Sequence, residues 1–217
     1  MDVRTRRSRD ALVAAAYSLA EQRDIATISV TDITNASGIS RDTFYRHACD
    51  PVDLIATALH AELADAIEQF GDLLDAADAA AFSHAAKPAP DANASATTFS
   101  TTNHVFAGPT RVFLSHVRTH ATLYRMAASG SLSGRLRSVL IEPARQILAD
   151  HLRRHPEIVP AALAPLSETT FAMAVAYAAG GTVAAAEAWL LTGDLDDLDG
   201  AVHAVLAASP QWWGDRR

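Results

Sequence analysis

The chain has 217 residues, 49% hydrophobic and 20% charged, which allows one or two domains with a sizeable core and excludes a disordered polymer. A single cysteine excludes an internal disulfide framework and fits a reducing cytoplasm, and the opening MDVRTRRSRD has no apolar run before a cleavage site, so no secretory signal is expected. The net charge of −7 is unevenly divided: residues 1–47 carry seven Arg against six acidic side chains, the remainder eleven Lys or Arg against nineteen, a split that suits presenting one end to phosphates.

Helical spacing of Ala11, Leu12, Ala15, Ala16, Leu19 and Ala20 predicts a first helix over residues 8–22, and Arg4, Arg6, Arg7 and Arg9 cluster in a short arm around its start. The stretch SVTDITNASGISRDTFYRH, residues 29–47, then reads as two short helices meeting at a tight turn. Ser29 caps the first with Asp32 three residues on, Val30, Ile33 and Ala36 share a face, and Gly38 sits where a left-handed residue ends the helix. Ser40 caps the second, over 41–47, whose Phe44 turns back toward Ile33 and Ala36 while Arg41, Thr43, Tyr45 and Arg46 face solvent. A short helix with one apolar anchor and a polar outer face suits the DNA major groove.

These residues carry a family resemblance. The order of an N-terminal helix, V-T-D-I-x-x-A-S-G-I-S-x-x-T-F-Y-R-H and then PVDLIATAL resembles the DNA-binding domain of the tetracycline-repressor (TetR) family of transcriptional regulators, over residues 8–60. Asp24 stands where the family usually has a helix-ending Gly, Ala48 where it has Phe, and Cys49 where it has a small polar residue or Pro. Pro51 replaces a Lys that normally touches a DNA phosphate, which lowers the expected affinity and salt slope, with Arg4, Arg6 and Arg7 as compensation. Arg41 is the first candidate for a base contact, because its guanidinium can reach guanine O6 and N7 together, and Thr31 is the second. Thr43, Tyr45 and His47 match family positions that hold the phosphate backbone; Ser29 would present a helix N-terminus, and Arg46 and Arg6 complete the expected DNA-binding set.

Further along, Asp50-Pro51 is a strong helix start, and Leu54, Ile55, Ala58, Leu59, Leu63, Ile67 and Phe70 predict a helix to residue 74 that joins head to body. Residues 76–109, rich in Ala, Ser and Thr and interrupted by Pro88, Pro90 and Pro109, read as a long loop with a short helical turn near 79–84. A helix returns over 110–124, breaks at Ser129-Gly130, and is followed by one over 132–155 in which Pro143 implies a kink or interruption. After Pro156 and Pro160 the apolar segment 166–191 ends at Gly193, and a last helix over 198–208 precedes the tail PQWWGDRR. The apolar run 171–186 is 16 residues, short of the roughly 20 apolar residues a bilayer span needs, so it is read as a buried helix with no membrane partner. With no convincing alternation anywhere the fold expected is all-α: a three-helix helix-turn-helix domain over 1–50 and a helical ligand-binding and dimerisation domain over 51–217.

The pairs His116/His120 and His151/His155 stand one helical turn apart, but two ligands do not make a zinc site and no Cys cluster joins them. The first pair is expected to face a cavity or satisfy internal hydrogen bonds, the second to end a helix where a cation suits the dipole. Asp194, Asp196, Asp197 and Asp199 lack the closing Glu of a calcium loop and read as a capping turn. No nucleophile elbow, phosphate loop or nucleophile–base pair is visible, so neither catalysis nor a cofactor or metal is expected.

The resemblance implies more. Family members pair their last two long helices with those of a second subunit, making Gly180, Ala184, Trp189, Leu190, Val202 and Leu206 the expected homodimer interface. Such a two-fold dimer sets its recognition helices about 34–36 Å apart and reads a pseudo-palindromic operator in double-stranded DNA. Family members also enclose an effector pocket, here assigned to Phe113, His116, Val117, His120, Tyr124, Leu140, Ile147, Phe171 and Tyr177, with the small-molecule effector unidentified. The expected function is a cytoplasmic, ligand-responsive repressor. Its rivals are a helical ligand-binding or metal-dependent enzyme that has lost DNA binding, for which Pro51 and Ala48 argue, and a module acting only through protein contacts.

Overall fold

The computed structural model describes residues 3–84, 106–128, 133–154, 156, 159 and 165–209, excluding the side chains of 72–84, 126–128, 133 and 154. All regular structure among them is helical: α1 Val3–Ala20, a 3₁₀ turn Ile25–Thr27, α2 Val30–Ser37, α3 Arg41–Tyr45, α4 Pro51–His84, α5 Ala107–Thr119, α6 Ala121–Ala128, α7 Ser133–Arg154, α8 Glu168–Thr192 and α9 Leu198–Ala208. An N-terminal helix-turn-helix is thus followed by a helical C-terminal domain, as the hydrophobic periods require.

The local chemistry of the head explains its boundaries. α1 begins at Val3, so the arginine arm is helical, and the Ser8 hydroxyl bonds back to the Arg4 carbonyl at 2.9 Å instead of capping a later start. Asp24 does the work of a terminator without being Gly: its carboxylate accepts the Ala26 amide at 2.9 Å and caps the 3₁₀ turn that buries Ile25. Gly38 closes α2 with φ +69°, the left-handed region that other residues enter only at a cost. Its turn redirects the chain so that Phe44 enters the core with Leu12, Ala16, Ala20 and Ile33, each fully buried. Ala36, expected beside them, is exposed, because the inner face of α2 rotates through Ile33 and Thr34.

α4 is the member shared by both parts. It packs on α1 and the 3₁₀ turn at one end and on α5 and α7 further along, burying Leu54, Ile55, Ala58, Leu59 and Leu63. It also runs to His84, ten residues past the predicted end, and α5 starts at Ala107, before Thr110. The remainder of the predicted loop, from 85 to 105, lies outside the described residues, as do Ser129-Gly130, His155, Pro160 and the tail from 210. The helix predicted over 110–124 is two: His120 leaves helical geometry at φ −105°, ψ 25°, and its carbonyl accepts the Tyr124 amide at 3.1 Å to start α6. α7 passes through a buried Pro143, whose missing N–H removes one internal bond without ending the helix.

In the body, α8 packs mainly on α7, with α6, α5 and α9 around it. Polar ties fix the arrangement: Arg125 Nε donates to the Leu190 carbonyl at 2.8 Å, Arg137 pairs with Glu187 at 3.2 Å, and the Arg153 guanidinium sits 5.2 Å from the Phe171 ring centroid. Asp197 caps α9 through the Gly200 amide at 2.8 Å, and Arg111 of α5 pairs with Asp199, as a capping turn demands. His151, expected to end its helix where a cation suits the dipole, is buried with its ring edge-on to Phe106 at 4.5 Å.

Two substitutions separate packing from backbone strain. Phe44→Ala should lower unfolding free energy by about 3–5 kcal/mol through the cavity it leaves. Gly38→Ala should cost about 1–2 kcal/mol through the left-handed backbone, since open space surrounds its Cβ position. Urea titration followed by circular dichroism measures both, and the order of the two losses is the expected result.

Candidate functional site

The outer face of the helix-turn-helix is built by its caps. The Ser29 hydroxyl accepts the Asp32 amide at 3.2 Å, and the Asp32 carboxylate accepts the Ser29 amide at 2.9 Å, completing a capping box. Hydrogen bonds from the Ser29 backbone and hydroxyl hold the Asp32 carboxyl below its usual range, and Arg23 pairs with it at 3.0 Å. The negative charge at the start of α2 is therefore already partnered. At α3 the Ser40 hydroxyl accepts the Thr43 amide at 3.2 Å and lies 3.0 Å from the Thr43 hydroxyl.

With Phe44 fixed inside, its neighbours are forced outward. Tyr45 is 61% exposed, its ring edge-on to Phe44 with centroids 5.5 Å apart. Arg41 is exposed and donates to the Thr31 hydroxyl at 2.6 Å, so the two candidates for base contact stand together at the junction of α2 and α3. Arg46 is exposed and pairs with Asp42 at 2.7 Å, Thr43 and His47 are half-buried, and Arg6 is exposed on α1. Thr31 is half-buried and Ser29 exposed, so all eight predicted positions lie on the head with some surface open.

Immediately after the head, Asp50 accepts the Asp53 amide and Asp53 the Cys49 amide, both at 2.8 Å, which starts α4. Arg135 of α7 reaches across to both carboxylates, at 3.3 Å to Asp50 and 2.8 Å to Asp53. Sequence spacing gave no sign of this tie, which joins residues more than eighty positions apart. Ala48 is buried, a small core filler at its position.

A second polar assembly lies behind the head, where α1, α4, α5 and α6 meet. Glu62 of α4 accepts the Tyr17 hydroxyl at 3.0 Å through one oxygen and faces His120 Nε2 at 2.8 Å through the other. His116 Nε2 lies 2.9 Å from the Tyr124 hydroxyl, and the two imidazole centroids are 4.8 Å apart. Burial and the neighbouring His120 push the His116 pKa down to about 3, so its ring is neutral at physiological pH. Burial first, then the Glu62 charge, raises both tyrosines above their ordinary value and keeps them protonated. The helical spacing of His116 and His120 was legible; Glu62 and Tyr17, brought in from distant helices, were not.

The cavity lies elsewhere in the body. A volume of about 450 Å³ opens between α5, α7, α8 and α9. Of the predicted ligand residues Phe113, Ile147 and Tyr177 line it, joined by Thr110, Leu148, Ala176 and Val205. His116, His120 and Tyr124 are committed to the polar assembly, Val117 and Leu140 to the buried core, and half-buried Phe171 stacks beneath Arg153. Gly180, Ala184 and Leu206, predicted for the subunit interface, line the cavity as well. Leu190 and Val202 are buried within the single chain and leave little surface for a partner, while half-buried Trp189 donates its indole N–H to the Asp194 carbonyl at 3.1 Å. What α8 does present outward is a different apolar row, with Met173 at 66%, Tyr177 at 75% and Leu191 at 64% exposure. By length and composition α8 could also cross a membrane, but it packs on α7 and α9.

The depressed His116 pKa has a defined sign. The unfolded chain takes up this proton near pH 6.5 and the folded chain only near pH 3, so unfolding binds protons between those values and stability falls as pH drops through that window. With a chelator present to keep the histidines metal-free, His116→Gln should flatten this acid limb in melting curves recorded between pH 4 and 7. Above pH 7 the variant's melting temperature should show no pH dependence arising from this position.

No family model matches the chain. A stretch of 69 residues, 31% of the chain, is 39% identical to the uncharacterized HTH-type transcriptional regulator YxbF of Bacillus subtilis (strain 168), of whose length the match spans 18%. The solved structure of DhaS, named as activator of a dihydroxyacetone kinase operon, superposes with a TM-score of 0.56 at 13% identity, over 92% of this chain and 94% of its own. That of FadR from Bacillus halodurans, described as a fatty acid degradation regulator, gives 0.56 at 12% identity, over 93% and 95%. The chain shares with both an all-helical fold that sets a helical C-terminal domain behind an N-terminal helix-turn-helix.

Proposed function

We propose that this chain is a TetR-type transcriptional regulator, a repressor that grips a pseudo-palindromic operator as a homodimer and is released by a small molecule. One observation carries the reading: the left-handed Gly38 and the buried Phe44 hold Arg41 and Tyr45 outward on one surface of the helix-turn-helix. The match to an HTH-type regulator and the fold shared with DhaS and FadR support it. Arg41 reads a base edge, with Thr31 holding its guanidinium beforehand. Ser29, Thr43, Tyr45, Arg46, His47 and Arg6 contact phosphates and fix the register. Residues 1–50 form the head and 51–217 the body, with α4 as the rigid link between them.

The dimer forms through α8 and α9. The row of Met173, Tyr177, Gly181, Ala184, Ala188 and Leu191 recurs at helical spacing and stays exposed, which a second copy corrects by burying it. The cavity beside that row holds the effector. Among the described residues its lining contains no Lys, Arg, Asp or Glu, only apolar side chains and the hydroxyls of Thr110, Tyr177, Thr182 and Ser209, so an uncharged, largely apolar molecule fits it best. Release follows from population shift: the molecule binds the head spacing that does not match DNA more tightly than the one that does.

Mobility shift with DNA flanking the protein's own coding region tests the DNA reading. Arg41→Ala should lose about 1–3 kcal/mol of operator preference, while Arg6→Ala should weaken all sequences alike and reduce the salt slope by about one. Absence of any shift by the wild type at low salt would defeat the proposal. For the dimer, Gly181→Arg is the sharp variant, because its Cβ enters open space and the helix gains propensity. Light scattering should then report a folded monomer in place of a dimer.

A further inference from the structure

We infer that Glu62, His116 and His120 form a binding site for a divalent transition-metal ion, one ion per chain, at the junction of the head with the body. Their ligand atoms already lie within 4.8 Å of one another. They come from α4 and from α5 with its C-cap residue His120, and the packing of these helices is fixed by the core around Leu59, Leu63, Leu114 and Val117. Two imidazoles and a carboxylate are the donor set that zinc, cobalt and nickel prefer over magnesium or calcium.

Three features distinguish the assembly from an ordinary buried ion pair. A His120–Glu62 pair needs no second histidine, yet His116 stands 4.8 Å away, ring to ring, where two imidazolium ions would repel each other. The two rings are thus close enough to share one ion, each supplying a nitrogen lone pair once deprotonated, the state a metal ligand requires. The surroundings are also those of a metal site: the Tyr17 hydroxyl donates to the second Glu62 oxygen at 3.0 Å and orients the carboxylate. The Tyr124 hydroxyl, 2.9 Å from His116 Nε2, stands where it can complete the coordination or position a water that does so. In the unliganded chain these hydrogen bonds satisfy the polar groups, and the proton between His120 and Glu62 occupies the place that the ion takes over. Zinc holds nitrogen and oxygen at about 2.0–2.2 Å, so tetrahedral ligands lie about 3.4 Å apart: the widest pair must close by up to about 1.4 Å and the His120–Glu62 pair, at 2.8 Å, must open slightly. His116 is buried, whereas Glu62 is exposed, which leaves solvent access for the ion.

The site is independent of the DNA reading and of the effector cavity. Untagged protein stripped with EDTA and desalted is titrated with Co²⁺, followed by visible absorption, and with Zn²⁺ in a calorimeter. The expected result is saturation at one ion per chain with the strong visible bands of a four- or five-coordinate cobalt. His120→Ala and Glu62→Gln should each weaken Co²⁺ binding at least tenfold, Tyr17→Phe by about tenfold through the oriented carboxylate, and His203→Ala, at an exposed position of α9, not at all. Glu62→Gln alters an exposed side chain, and its melting curve confirms folding. Absence of stoichiometric binding, or binding unchanged in both Glu62→Gln and His120→Ala, overturns the proposal. A failed mobility shift leaves this titration unaffected.

Discussion

The insertion of Phe44 between α1 and α2 is the contact on which the rest of the head depends. α3 is only five residues long and could not persist alone, since a helix that short gains fewer internal hydrogen bonds than its nucleation costs. Burying one aromatic ring in a cluster with Leu12, Ala16 and Ile33 supplies the missing free energy. It also decides orientation. With Phe44 inward, Arg41 and Tyr45 have nowhere to go but solvent, and Gly38 sets the angle at which they emerge.

That head is coupled to the body through α4 and a small number of polar ties. Arg135 on α7 holds the two carboxylates that start α4, and Tyr17 on α1 reaches Glu62 in its middle. These contacts are partly exposed, so each contributes little to stability, but they connect elements whose relative movement would change where the head points. The polar assembly of Tyr17, Glu62, His116, His120 and Tyr124 sits on the same route, while the apolar cavity lies deeper, against α8 and α9. The polar assembly and the cavity are thus chemically unlike places in the fold.

The head was legible in the chain because its signals are local. The capping box at Ser29 and Asp32, the left-handed Gly38, the Ser40 cap and the apolar spacing of α1 act within a few residues, and the structure has each of them. Where local signals were absent or ambiguous, the outcome differed: α4 continued to His84, the segment 110–124 divided at His120, and Ala36 turned outward. The body's assignments fared unevenly for the same reason. Periodicity tells which face of a helix is apolar, not which neighbour covers it, so Leu190 and Val202 fall in the chain's own core while the exposed row on α8 starts at Met173.

By itself, then, the sequence determined an all-helical chain with a capped helix-turn-helix at its start and the side chains that face outward from it, because caps, turns and helical periods are set over three to four residues. Only the tertiary structure decided which distant groups meet. Glu62 joins His116 and His120, Arg135 joins Asp50 and Asp53, and the cavity opens beside α8 rather than around the histidines. Those meetings follow from how helices dock, and docking is governed by the shapes of whole apolar faces, which no local spacing records.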